Sequence, residues 1–343
     1  MRKHHIIALG LAFVLAFSGI ASAAEYNWRL AEEEILGSVS DIYANEFARL
    51  LAEKSNGRIK LDIYPGGTLG TPTEMFELCL NGAIEFALVG PGQCSTIVPE
   101  NQIFSLHFLF SDDDMLNEKV LASSTALNKM LAGVYEKKGL KVLSYFSEGA
   151  MYWTANKPIL TPKDFKGFKM RVMPSEMLVE IYKAYGANPT PLSFTELYSA
   201  LQLNMVDGQE NAPYIIQEMK FMEVQQYLIE SKHNIYVMHT LANANFFNGL
   251  PKDIQEIVLA CIGELRPFVY KVQQDLNSKR LNMMVKAFKP DQKLLKLEHD
   301  QRMSFREVAK KTDEKYFELS RNPKFAKELL KAFRAEMAEA EKK

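Results

Sequence analysis

Hydrophobic positions along the chain switch repeatedly between a period of two and a period of 3.6. Residues 26–31 read as a strand. Ser38 caps a helix whose apolar positions Val39, Ile42, Tyr43, Phe47, Leu50 and Leu51 keep the helical spacing, and Asn56-Gly57 ends it. Ile59, Leu61 and Ile63 then alternate with Lys60 and Asp62, as in a half-buried strand. Pro65-Gly66-Gly67 turns the chain. Thr71-Pro72-Thr73-Glu74 is a capping box with proline at the first helical position, opening a helix to about Asn81. Phe86 to Val89 is a short continuous apolar run, the pattern of a buried parallel strand. Strands and helices in this order predict an α/β fold with helices on both faces of a sheet.

A second α/β unit follows Gly139. Residues 140–146, 151–155 and 168–172 are strand-like. Residues 175–185 form a helix ended by Gly186. Ser193-Phe194-Thr195-Glu196 is a second capping box, starting a helix through Leu203, and Val206-Asp207-Gly208 reads as a turn. Residues 235–241 read as another strand. From Pro251 to Phe288 one apolar stripe continues through Ile254, Val258, Cys261, Leu265 and Val269, too long a helix for one small domain, with a kink expected at Pro267. Amphipathic helices at about 298–319 and 323–341 close the chain. With no low-complexity linker and no repeat of solenoid period, the two units should be joined by several crossings.

The N-terminus changes the picture of where the chain works. Met1-Arg2-Lys3-His4-His5 is basic, Ile6 to Ile20 is apolar, and Ala21-Ser22-Ala23 supplies small residues at a cleavage position. Residues 1–23 are thus expected to be a secretory signal peptide, giving an exported, periplasmic protein. No later apolar run is long enough to span a bilayer. At 343 residues the chain suggests about two domains. Its net charge of −1 gives no basic excess for nucleic acid. Cys79 and Cys261 sit at helical spacing among apolar residues and read as core. Cys94 follows the turn-like Gly90-Pro91-Gly92-Gln93, where it lines a cleft or pairs with Cys79.

Catalytic motifs are absent. His107, His233, His239 and His299 stand in no metal-binding pair, and there is no G-x-S-x-G elbow or S-x-x-K, so no metal, cofactor or enzymatic activity is expected. Arg171, between Met170 and Val172, is either a surface residue of an alternating strand or a charge held in a cleft. Its place near a strand's carboxyl end, just before a helix N-terminus, favours an anion site. Its planar fork suits carboxylate or sulfonate oxygens.

Phe168-Lys169-Met170-Arg171-Val172, Gly186-Ala187-Asn188-Pro189-Thr190-Pro191 and Val206-Asp207-Gly208-Gln209-Glu210-Asn211 resemble the hallmark run of the solute-binding subunits of TRAP (tripartite ATP-independent periplasmic) transporters, in their dicarboxylate-type family. Tyr64-Pro65-Gly66-Gly67-Thr68-Leu69-Gly70, Leu30-Ala31-Glu32-Glu33 and Glu223-Val224-Gln225-Gln226-Tyr227-Leu228 extend the similarity over the mature chain. The resemblance implies a two-lobed, Venus-flytrap fold. Lobe I would hold residues 24–148 plus 237–276 and lobe II residues 149–236 plus 277–343, with the long helix spanning both. Such a protein closes on its ligand and docks on the transporter's membrane subunits, and an ion gradient drives uptake. A monomer is expected. An exported α/β enzyme and a sensor presenting the same fold to a membrane kinase are the other readings.

By motif, Arg171 matches the family's arginine that pairs with the ligand's acid group, and Asn211 a site asparagine. Asp207 and Gly208 read as turn-forming and Glu210 as structural. Gln93 and Cys94 after a strand, Glu32 and Glu33 before the first helix, and His233 and Asn234 at a crossing are further candidates. Many relatives carry a second arginine before a Thr-x-Asn-x-x-Ile stretch. Here that stretch is Thr154-Ala155-Asn156-Lys157-Pro158-Ile159, and Met151 takes the arginine's place. A second ligand carboxylate would then lack a partner, unless Lys157 supplies one. Met151 and Trp153, two apart on one strand, should both wall the pocket. The expected ligand is a small monoanion: a sulfonate such as isethionate foremost, or a hydroxy- or keto-acid, ahead of a larger aromatic monocarboxylate and then of a C4-dicarboxylate or a sugar acid.

Overall fold

The computed structural model describes residues 24–342; the expected signal peptide, 1–23, lies outside the described residues. Eleven strands form two sheets among them. The first contains β1 (Tyr26–Glu32), β2 (Ile59–Tyr64), β3 (Phe86–Val89), β4 (Leu140–Ala150) and β10 (Ile235–Asn243), in the order β2-β1-β3-β10-β4. The second contains β5 (Tyr152–Ala155), β6 (Lys169–Val172), β7 (Asn188–Pro191), β8 (Gly208–Asn211), β9 (Tyr227–Glu230) and β11 (Lys293–Lys296), in the order β11-β9-β5-β8-β6-β7. β1, β2 and β3 run parallel, as do β6, β7 and β8, while β10 and β5 enter their sheets antiparallel. The fold is the expected two-lobed α/β architecture.

Local chemistry accounts for the elements. Ser38 accepts from the Asp41 N–H and starts the helix Val39–Lys54, whose buried Tyr43, Phe47, Leu50 and Leu51 pack under the first sheet. Thr71 and Glu74 make both halves of a capping box for Pro72–Leu80. At Ser193 the expected box does not form. Its hydroxyl bonds the Glu196 carboxylate instead of a backbone N–H, and the chain makes a 3₁₀ turn before the helix Leu197–Gln202. Gly208 lies inside β8 rather than in a turn. A Cβ there would stand 2.3 Å from the Thr154 carbonyl oxygen, so only glycine lets β8 enter the sheet. Asp207 makes the turn, accepting from the Lys169 N–H at 2.8 Å.

Three connections join the sheets. β4 runs into β5 at Met151, β9 into β10 at 231–234, and the helix Lys252–Lys286 continues unbroken through Pro267. Near its start, Glu264 pairs with Lys54 of the first lobe at 2.6 Å; near its end, Arg280 reaches Gln217 and Glu218 of the second at 2.8 and 3.0 Å. Between them Asn277 donates to the Glu148 carbonyl at 2.8 Å, approaching so closely that a Cβ at Gly149 would lie 2.4 Å from its amide. The final helix, Pro323–Ala340, was expected with the second lobe. It packs on residues 114–131 of the first, where Glu336 accepts from Ser124 and from the Ala126 N–H. All three cysteines are buried free thiols. No described helix is long and apolar enough to cross a membrane.

Candidate functional site

The parallel strands of both sheets end at one cleft, as ligand sites of open α/β sheets do. About 440 Å³ of unfilled space, open solvent included, lies within its walls. Gln93 bounds it from the turn after β3, Met151 and Asn234 from the crossings, Tyr236 from β10, and Met173 and Glu210 from the second sheet. Three residues expected at the site therefore meet here: Gln93, Met151 and Asn234. The Asn234 amide is held in place, donating to the Phe104 carbonyl at 2.9 Å.

Arg171 is 2% exposed. Nε and Nη2 both donate to the Leu192 carbonyl, at 3.1 and 2.9 Å, which fixes the fork and leaves the Nη1 side for another acceptor. Burial lowers its pKa to about 10, opposed by the Glu210 carboxylate, so it stays charged at neutral pH. Glu210 and Tyr236, the groups it interacts with electrostatically, both line the cleft. Asn211 is half-buried at the end of β8 and donates to Gln209 at 2.5 Å. Lys157 does not line this cleft. Its ammonium sits 5.5 Å from the centre of the Phe168 ring, before β6 begins.

Two expected wall residues lie elsewhere. Trp153 is 1% exposed, stacked on His233 at 4.6 Å and edge-on to Phe165 and Phe305, with its N–H donated to Tyr182 at 2.8 Å. The period of two does not carry from Met151 into β5, because Met151 belongs to the crossing and the strand starts at Tyr152. Cys94 is fully buried in the core, its thiol directed at the Gly90 carbonyl.

The first lobe contributes acids. Glu32 ends β1, and Glu33 and Glu34 follow it. Glu33 accepts from the Tyr236 hydroxyl at 2.5 Å, and its other carboxylate oxygen is buried without a partner. Gly90 makes room for this bond, since a Cβ there would be 2.2 Å from the tyrosine oxygen. The Tyr64-Pro65-Gly66-Gly67 motif braces the same loop: Gly66 N–H donates to the Glu34 carbonyl at 2.8 Å, an approach that a Cβ would block at 2.6 Å. Burial raises Glu33 to about 7 and Glu32 to about 9. Tyr214, from the second lobe, reaches Glu34 at 2.6 Å and Glu148 at 2.9 Å, while Ser40 donates to Glu148 at 2.6 Å. One phenolic hydrogen cannot serve two carboxylates, so the pair retains a proton, and burial pushes both acids up.

Glu148, Tyr214 and Tyr236 were not singled out in the sequence. A glutamate inside the apolar run Tyr145-Phe146-Ser147-Glu148 was the available signal. Glu210 is more than structural support: it faces the cleft and gathers Tyr182 at 2.5 Å and His233 at 2.7 Å around one oxygen.

Comparisons with known proteins show the family. The family described as bacterial extracellular solute-binding protein, family 7 (DctP), matches residues 31–319. The ectoine/5-hydroxyectoine-binding periplasmic protein UehA of Ruegeria pomeroyi is 32% identical over 331 residues, 96% of this chain and 96% of its own length. The solved periplasmic ectoine-binding protein of the TeaABC TRAP transporter of Halomonas elongata has a TM-score of 0.86 at 31% identity, covering 91% of this chain and 99% of that one. A TRAP periplasmic solute-binding protein of Desulfovibrio salexigens with bound orotic acid gives 0.84 at 30% identity, covering 92% and 99%. The chain belongs to the family 7 extracellular solute-binding proteins: it is a periplasmic solute-binding subunit of a TRAP transporter, a carrier of ligand to membrane subunits and not an enzyme.

Proposed function

We propose that the ligand is a small organic acid with one negative charge, held by Arg171, and a cationic group at its other end, as in ectoine, a cyclic amidinium carboxylate. The observation that carries this reading is Tyr236 on the cleft wall, which bonds Glu33 of the first lobe and interacts electrostatically with Arg171 of the second. A positive group brought against the free oxygen of Glu33 satisfies it and favours its ionised form. Arg171 retains one edge of its fork for a carboxylate, and Gln93, Asn211 and Asn234 offer neutral amides. Ectoine-binding relatives at about a third identity support the same class.

Isethionate is the second reading. Its sulfonate suits Arg171 with neutral donors, and Met151 in place of an arginine favours a monoanion. It leaves Glu33 with a hydroxyl only. A C4-dicarboxylate would bring a second negative charge toward Glu33 and Glu34, which is unfavourable. An aromatic carboxylate has no stacking surface in Trp153, which is buried in the core. Closure would take place about the crossings at Met151 and 231–234 and the long helix, lobe I (24–148 plus 237–276) against lobe II (149–236 plus 277–322), with Pro323–Ala340 riding on lobe I.

A thermal-shift panel of ectoine, isethionate, lactate, succinate and indole-3-acetate tests the reading. Ligand at about 100 times its dissociation constant adds about 2.7 kcal/mol of stability. The expected order is ectoine, then isethionate. Stabilisation by succinate alone would overturn it.

A further inference from the structure

We propose that His107, His233 and Glu210 form a binding site for a transition-metal ion of the zinc class, set behind the ligand cleft. The three come from separate places: His107 from the segment after the 3₁₀ turn Pro99–Ser105, His233 from the crossing between β9 and β10, and Glu210 from β8. No local sequence spacing joins them. The fold brings their ligating atoms within 4.8 Å of one another, all buried.

The geometry suits first-row metals. His233 Nε2 lies 2.7 Å from Glu210 Oε2, and His107 Nε2 lies 3.8 Å from the same oxygen. A tetrahedral ion about 2.1 Å from each donor sets its ligands about 3.4 Å apart, between these two values. Each ring is oriented through its other nitrogen, as metal-bound imidazoles are. His107 Nδ1 meets the Tyr185 hydroxyl at 3.0 Å, and His233 Nδ1 meets Ser231 at 2.7 Å. Both Nε2 atoms thereby face Glu210. Burial keeps both histidines neutral far below the usual range, the form that ligates.

A hydrogen-bonded brace explains only part of this. Glu210 is satisfied by Tyr182 and His233, but His107 Nε2 is buried with no hydrogen-bond partner. An orphaned nitrogen aimed at a carboxylate is costly unless something binds it. The Arg171 charge near Glu210 weighs against a hard cation held by charge alone. Two imidazoles and one carboxylate select zinc, cobalt or nickel over magnesium or calcium. Binding would replace the His233–Glu210 hydrogen bond and tie the first lobe's segment, the crossing and the second sheet together at the base of the cleft. The site is independent of which acid the cleft takes.

The test uses the full mature chain stripped with a chelator, then dialysed against ZnCl₂ or CoCl₂. The expected result is one equivalent of metal per chain, a higher Tm with Zn²⁺ but not Mg²⁺, and visible Co²⁺ absorption bands of a tetrahedral site. His107→Gln keeps an amide for Tyr185 and removes the ligand, and should weaken Zn²⁺ at least 100-fold. Tyr185→Phe, which only frees the ring, should weaken it about 10-fold or more. Less than a tenth of an equivalent in the wild type, or Zn²⁺ affinity unchanged in both variants, would overturn the site.

Discussion

Two buried polar clusters flank the cleft, and they solve the problem of burying charge in opposite ways. On the first-lobe side, Glu32, Glu33, Glu34 and Glu148 are all acids, with Tyr214, Tyr236 and Ser40 as donors. With no cation among these contacts, protons keep the cluster tolerable, and burial raises every member. On the second-lobe side, a single acid, Glu210, is surrounded by Tyr182, His233, His107 and Arg171, and mixed partners hold it. The first cluster is thus sensitive to pH and able to accept positive charge. The second sets one acid, which burial also raises, among mixed partners beside one guanidinium.

The largest expected effect falls on the second cluster. Arg171→Ala should lose about 2–5 kcal/mol of ligand binding while the fold survives, and Arg171→Lys should also bind worse because the fork is lost. Calorimetry reads both, and unchanged affinity in the alanine variant removes Arg171 from the site.

Next comes the clasp between lobes. Tyr214→Phe deletes the hydroxyl that Glu34 and Glu148 share, and should cost about 1–3 kcal/mol of stability in denaturant unfolding. A change below experimental error would show that the two acids satisfy each other without it.

A smaller effect is the pH dependence. A carboxyl whose folded pKa exceeds its ordinary 4.5 contributes stability that is complete below that value and lost as pH rises through the folded one. For Glu33, at about 7, the loss runs from about pH 4.5 to 7, and for Glu32, at about 9, it continues to about pH 9. Buried His107, His233 and His239 act oppositely, costing stability as pH falls below about 6.5, so the window above pH 7 isolates the acids. Tm should fall from pH 7 to 9, and Glu32→Gln should flatten that slope. A flat wild-type profile would contradict the protonated cluster. The smallest effect is Lys157→Gln: seated over Phe168, it should leave ligand affinity within twofold, and a tenfold loss would restore it as the second cation.

The sequence made the regular parts legible. Ser38, Thr71 and the alternating Ile59, Leu61 and Ile63 mark elements that the structure keeps almost residue for residue. The second sheet was harder to read, because β7, β8, β9 and β11 are four residues each and partly polar. Asn188-Pro189-Thr190-Pro191 carries two prolines, tolerated because β7 is an edge strand. Of the expected site residues, Gln93, Met151 and Asn234 line the cleft, and their places after a strand or at a crossing made that readable. Trp153 and Cys94 were not, because a crossing resets the side-chain alternation and a 3₁₀ turn aims its last residue inward. The Glu34–Tyr214–Glu148 contact joins residues far apart in sequence, and no local pattern encodes it.

The most direct test of opposed charges in the cleft is calorimetric titration of ectoine and isethionate into wild type and Glu33→Gln at pH 8. Ectoine should bind the wild type and lose about tenfold or more in the variant, while isethionate should be unaffected or improved. Ectoine binding that Glu33→Gln leaves unchanged, or isethionate binding the wild type more tightly than ectoine, would contradict a cationic end facing Glu33.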